Sequence, residues 1–272
     1  MARKVATNAA DPSVDGALLA WHETGKPGML VDGDRQARTP GTHPALGGGR
    51  LAVVAGAQID VHSTTDDGFA TSVPAPGVDH VAVSAEWVVW RAREGAGDVL
   101  YAFPLAGGAP IEIIRATELG RPALLGGVAA FHVNTPSQSR IVLADLASNQ
   151  TATVRSEKRA LLLNPALEGR RLLYVRTTFK RQELRLGPQT RRSPFRDRAI
   201  FSMVPTGRRD AGHEPGIEHH KHGQPHKLWK RPREGVSATL WTTALAKDFA
   251  YVTRLRQVAG QPLVAEILRV AR

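Results

Sequence analysis

The chain has 272 residues, 42% hydrophobic and 22% charged, with no cysteine and a net charge of +11. Such a composition suits a folded protein with a large core. It excludes disulfides, thiolate metal centres and cysteine nucleophiles, and no run approaches the roughly 20 apolar residues of a membrane-spanning helix.

The N-terminus, Met1 to Gly16, carries charge but no apolar segment of the kind a signal peptide needs, so no leader is expected there. A module then recurs along the chain. Each copy has an apolar anchor that ends a short first strand: Val14, Leu46, Val83, Leu124, Leu167 and Leu245, spaced 32, 37, 41, 43 and 78 residues apart. A turn follows each anchor, for example Asp15-Gly16, Gly47-Gly48-Gly49 and Glu168-Gly169-Arg170. Five and seven residues past the anchor stand Leu19/Trp21, Leu51/Val53, Val88/Trp90, Ala129/Phe131, Leu172/Tyr174 and Ala250/Val252. Residues two apart on a strand share a face, so each copy predicts a second strand with one apolar face. Proline lies two residues before the anchor in four copies (Pro12, Pro44, Pro122, Pro165), a position at a strand's start where its missing N–H is tolerated.

A third strand is predicted at 29–31, 58–61, 98–101, 140–143, 183–186 and 263–267. A fourth follows at 110–113 and 151–154, after tight turns at Ala106-Gly107-Gly108 and Ala147-Ser148-Asn149. The step of 78 residues before the last copy contains 188–235, rich in Arg, Pro, Gly and His. Its one strand-like run, Ala199 to Val204, is read as the fourth strand of the fifth copy, leaving 206–235 as a long irregular loop. A seventh, degenerate copy is the alternative for this step.

Repeats of about 40 residues with four strands each are the pattern of a β-propeller, in which stacked blades bury faces that one blade alone leaves open. The predicted fold is therefore all-β: one six-bladed β-propeller domain of four-stranded blades over 1–272, with an irregular basic, His-rich insertion, 188–235, before the last blade. The last copy ends at its third strand, and Lys4 to Thr7 is expected to supply the fourth and close the ring. A β-sandwich is the competing fold, but sandwich strands rarely keep one internal pattern through so many copies.

Two stretches, Pro12 to Trp21 and Pro165 to Tyr174, resemble the SPDG-type blade motif of TolB-like propellers. Asp98 to Gly108 is similar to the second half of such a blade. The resemblance covers most of the chain outside 188–235, and matches the propeller half of that family without its N-terminal α/β domain. It implies a six-bladed ring, an extracytoplasmic location and a protein-binding scaffold. Export conflicts with the missing leader, which a misassigned start would reconcile. The motif specifies blade type and carries over no partner and no catalytic residue.

Candidate chemistry concentrates in the insertion. Residues 155–233 hold 20 Lys/Arg and 7 Asp/Glu, against 16 and 18 in the remainder. Arg208, Arg209, Lys230 and Arg231, with Trp229 beside them, are the candidate binding residues, suited to an anionic partner. No nucleic-acid module accompanies them, so nucleic acid is not expected. His219, His220 and His222 carry imidazoles that suit divalent metals, but few carboxylates flank them, and any ion there is expected to be weak and adventitious; no cofactor is predicted. No GxSxG elbow or P-loop occurs, and no catalytic residue is assigned. The acidic turns Asp32-Gly33-Asp34 and Thr65 to Gly68 lack a full calcium-loop spacing. The expected function is a monomeric, non-catalytic scaffold for a protein or peptide partner. The alternative is a hydrolase or lyase with a metal ion on the axis, to be judged by whether polar residues from several blades converge there.

Overall fold

The computed structural model describes residues 2–65, 68–169, 171–178, 182–187, 216–221, 224–227, 236–258 and 260–271. They form six sheets arranged as the blades of a ring. The first strand, β1 (Ala2–Thr7), stands apart from the blade that follows it. Blade one is β2 (Ala9–Asp15), β3 (Leu18–Glu23), β4 (Lys26–Asp32) and β5 (Arg35–Arg38). Blade two is β6 (Thr42–Gly47), β7 (Arg50–Ala55), β8 (Gln58–Ser63) and β9 (Phe69–Pro74). Blade three is β10 (Val78–Val83), β11 (Trp87–Glu94), β12 (Gly97–Pro104) and β13 (Ile111–Ala116).

In blade four the inner strand is in two pieces, β14 (Glu118–Leu119) and β15 (Ala123–Leu125), followed by β16 (Val128–Thr135), β17 (Gln138–Asp145) and β18 (Gln150–Glu157). Blade five is β19 (Leu161–Glu168), β20 (Arg171–Thr177) and β21 (Gln182–Gly187), extended by β22 (Gly216–Lys221) and β23 (Gln224–Lys227). Blade six is β24 (Val236–Leu245), β25 (Phe249–Val258) and β26 (Val264–Ala271), and β1 pairs with β26 as its outer strand. Closure by the N-terminal segment is therefore as expected. A sheet edge that would otherwise stay open is covered by the chain's own start.

The alternating side chains explain how the blades stack. The predicted apolar pairs all lie in the core, and each faces the preceding blade: Leu19 and Trp21 pack with Ile267 of blade six, Val88 and Trp90 with Ile59 and Val61 of blade two, Leu172 and Tyr174 with Ile141 and Leu143 of blade four. The alternate residues face the following blade, as Ala20 does toward Leu51 and Val53, and Leu173 and Val175 toward Leu240 and Leu268. A strand's two-residue period thus builds one apolar cluster at every blade-to-blade boundary. Buried hydroxyls add tethers across these boundaries: Ser13 Oγ accepts the Leu46 N–H at 2.8 Å, and Ser139 Oγ accepts the Leu162 N–H at 2.8 Å.

The long step before the last blade differs from expectation. The run at 199–204, read as blade five's fourth strand, lies outside the described residues. The strand that pairs with β21 is β22, and it runs parallel, with Glu183 opposite Gly216 and Leu184 opposite Ile217. β22 then pairs antiparallel with β23. The stretch 206–235, expected to be irregular, therefore contains two short strands, because the free edge of β21 can pair with any extended segment that reaches it. Among the described residues no seventh sheet fills the step.

Candidate functional site at the polar end of the axis

The six inner strands surround a channel. The anchors Val14, Leu46, Val83, Leu124, Leu167 and Leu245 form an apolar collar within it, since all six line both of its cavities. On one side the collar opens into a mouth of about 400 Å³ bounded by the turns that follow the anchors, including Gly16, Gly47, Ala85, Gly126, Gly169 and Ala246. On the other side lies a narrow chamber of about 60 Å³, reached by Arg121 and Asn164.

The residue three positions before each anchor is polar in every blade: Asp11, His43, His80, Arg121, Asn164 and Thr242. In five blades the inner strand carries one more residue than its partner at this point; in blade three the extra residue is Asp79, just before His80, which pairs with Arg91. The register slips between Ala10 and Ser13, Thr42 and Ala45, Val78 and His80, Leu163 and Ala166, and Leu240 and Thr243. In blade four the same slip separates β14 from β15. Bulges of this kind re-aim side chains out of the sheet alternation. Asp11, His43 and Asn164 also have φ of 54°, 48° and 46°, unusual for residues other than glycine.

Neighbouring blades hold these backbones in place. The Asp11 N–H donates to Thr242 Oγ1 and Thr253 Oγ1, both at 3.2 Å, across the seam between blades one and six. The Asn164 N–H donates to His132 Nδ1 at 2.9 Å, Thr243 Oγ1 donates to the Asn164 carbonyl at 2.7 Å, and Asn164 Nδ2 donates to the Trp241 carbonyl at 3.3 Å. His132 fits only because residue 120 is glycine: a Cβ there would lie 1.8 Å from His132 Nδ1.

Three imidazoles gather around Asp11. His22, from β3, stacks on His43 with ring centroids 4.0 Å apart, and His43 lies 5.5 Å from His80. His80 Nε2 is 3.8 Å from Asp11 Oδ2, and His80 Nδ1 is 3.3 Å from Asp79 Oδ1. Arg91 holds Asp79 through Nε at 2.9 Å and through a second short contact, and gives its other amino group to the Leu119 carbonyl at 2.6 Å. Burial lowers the His43 pKa to about 4, with the neighbouring His22 and His80 pushing the same way. Burial likewise lowers His22, and takes His132 down to about 3. At neutral pH these three rings are uncharged. For Asp11, burial acts upward but is outweighed by the Arg121 charge, by His80 and His43, and by the hydrogen bond from Thr242, so the carboxyl stays ionised.

Arg121 crosses the channel. It starts in blade four and donates from one terminal amino group to the Pro12 carbonyl of blade one, at 3.0 Å. At the rim of the same end, Trp241 and Leu161 are 43% and 45% exposed.

None of the predicted site residues is among those described at the axis. Arg208, Arg209, Trp229, Lys230, Arg231 and His222 lie outside the described residues. His219 and His220 are in β22, where their backbones pair with His226 and Pro225 of β23. The axial ring was missed because its members share no chemistry, although the six anchors already aligned them. Polar residues from all six blades do converge on the axis. Among the described residues, however, no three or more His, Asp or Glu have a spacing that would hold a metal ion.

No protein-family model and no curated protein matches the sequence. Solved structures match the fold. The β-propeller domain of the trilobed protease from Pyrococcus furiosus aligns with a TM-score of 0.56 at 8% identity, over 94% of this chain and 80% of that one. That domain has an open velcro topology, whereas here β1 completes the last blade. A putative TolB from Agrobacterium tumefaciens aligns with a TM-score of 0.50 at 12% identity, over 84% of this chain and 74% of that one. TolB from Acinetobacter baumannii aligns with a TM-score of 0.49 at 10% identity; 92% of this chain spans 59% of it. The fold is that of a TolB-like six-bladed propeller.

Proposed function

We propose that the chain is a non-catalytic scaffold that takes a segment of a protein or peptide partner at the polar end of its axis. The observation that carries this reading is the ring of Asp11, His43, His80, Arg121, Asn164 and Thr242, one residue from every blade, beside the exposed Trp241 and Leu161. Hydrogen-bonding groups fixed on a rigid frame, next to an aromatic anchor, suit recognition of an irregular peptide. The opposite mouth carries Asp15, Ser84, Glu168 and Lys247 among its turns. The TolB-like fold supports the scaffold role and a location outside the cytoplasm. The basic segment 155–233 supports a partner, or a part of one, that is anionic.

The test is selection of peptides from a random display library against the whole chain, followed by affinity measurements on variants. His43→Ala and Trp241→Ala are expected to weaken the selected peptides at least tenfold, and Ala85→Arg at the opposite mouth to leave them unchanged. The reverse pattern would refute the reading.

A second reading, a hydrolase or lyase with an axial metal, is favoured by the three imidazoles beside an ionised Asp11. Titration with zinc, manganese and calcium would support it if one ion binds stoichiometrically and His43→Asn abolishes the binding. Its absence from all three titrations would remove it.

A further inference from the structure

Arg121 has an unusual position for a guanidinium. It reaches across the channel from blade four to the opposite blade, where a single carbonyl, that of Pro12, accepts one of its five donors. Among the described residues no carboxylate forms an ion pair with it; Asp11 attracts it only through space. Burial pulls its pKa down, so the charge is carried at a cost that its protein neighbours do not fully offset. Its head lines the 60 Å³ chamber beneath the polar ring, together with Asn164, Ser13 and Thr243. That space holds a few waters or the head of a small oxyanion. Asp79, at the side of the ring, is neutralised by Arg91. Among the described residues, the cation facing the chamber therefore has donors that no carboxylate takes up directly.

We propose that Arg121 receives a carboxylate of the axial ligand, with Asn164 as its neutral hydrogen-bonding neighbour in the chamber below. A guanidinium matches a carboxylate through two parallel N–H···O bonds, and the low-dielectric setting strengthens that contact. Asp11 sets the selectivity: its charge disfavours a second anionic group beside the first, so a single carboxylate flanked by neutral or donor groups fits best. This rests on the axial reading above, and narrows it to ligands with a free terminus or an acidic side chain.

The probes are sodium formate and sodium acetate, titrated into the whole chain at constant ionic strength and followed by the Nε–Hε resonances of the arginine side chains. One resonance is expected to move saturably, and Arg121→Lys, which keeps the charge but loses the fork, is expected to remove that signal and so identify it. Arg121→Gln is expected to weaken the selected peptides at least tenfold. Amidating the peptide terminus, or replacing its acidic side chain by the amide, shows which source supplies the carboxylate. If no Arg121 resonance moves saturably with either anion in the wild type, the proposal fails, whatever the peptides do. If the anions bind at Arg121 and no peptide is ever selected, this proposal stands and the peptide scaffold fails.

Discussion

His22 and His43 come from adjacent blades and lie face to face, with centroids 4.0 Å apart and planes 11° apart. Two stacked imidazoles tolerate one proton poorly and two worse. Burial is the main reason that both rings refuse a proton; of the groups facing the pair, Asp11 and Glu23 favour protonation, and His80 and Arg121 oppose it. His43 has a pKa of about 4 in the folded chain, against 6.5 when unfolded. The unfolded chain therefore takes up a proton that the folded chain refuses. Stability is expected to be complete above pH 6.5 and to fall as the pH drops from 6.5 toward 4. Urea unfolding across that range checks this. His43→Asn, which accepts a positive φ and does not titrate, is expected to make the decline shallower, leaving the share of His22 and His132.

Gly120 tests how tightly blade four is fitted around His132. A Cβ at residue 120 would lie 1.8 Å from His132 Nδ1 and 2.6 Å from its Cγ, too close along the whole ring for a small tilt to relieve. Gly120→Ala is expected to destabilise by about 2–4 kcal/mol through overpacking and loss of the Asn164 N–H acceptor. Gly95 has a φ of 58° and open space around it, so Gly95→Ala is expected to cost only about 1 kcal/mol. Thermal unfolding of the two variants should separate them clearly.

Ser13 and Ser139 make the same tether at two different boundaries, each accepting a buried N–H from the next blade. Replacing either by alanine strands that N–H. Ser13→Ala and Ser139→Ala are each expected to cost about 1–3 kcal/mol, and the double variant about the sum, because the sites share no partner. Denaturant midpoints at an unchanged m-value would confirm it.

The closing strand gives a fourth expectation. β1 covers the edge of β26 through the register Ala2 with Val270, Lys4 with Leu268 and Thr7 with Glu266. Deleting residues 1–7 should leave blade six with an exposed edge. The expected results are a melting temperature lower by roughly 5 °C or more and a new tendency to associate through that edge, read by calorimetry and light scattering.

The parts of this fold that were visible in the sequence are those governed by a short period. The apolar pairs five and seven residues past each anchor alternate with strand geometry, so Val88/Trp90 and Ala250/Val252 could be placed before any coordinates. The closure by Lys4 to Thr7 followed from a last copy short of one strand. Two things were not visible. The outer neighbour of β21 depends on a pairing across more than 25 residues, from Leu184 to Ile217, for which no local pattern exists. The polar ring is set by bulges, and a bulge leaves little trace in composition. Its one trace was present: Pro12, Pro44, Pro122 and Pro165 cannot donate to a ladder, and each directly follows a ring residue. The Asp, His, Arg and Asn before those prolines differ in type and agree only in position, so no residue pattern singles them out.

That the partner engages the polar end of the axis is tested most directly by blocking each end in turn. The chain has no cysteine, so Leu161→Cys at the polar rim and Ala85→Cys at the opposite mouth each give one labelling site. With a bulky maleimide attached, the Leu161→Cys protein is predicted to lose binding of the selected peptides, and the labelled Ala85→Cys protein to keep it. Full binding by the labelled Leu161→Cys protein, with loss in the labelled Ala85→Cys protein, would contradict the account.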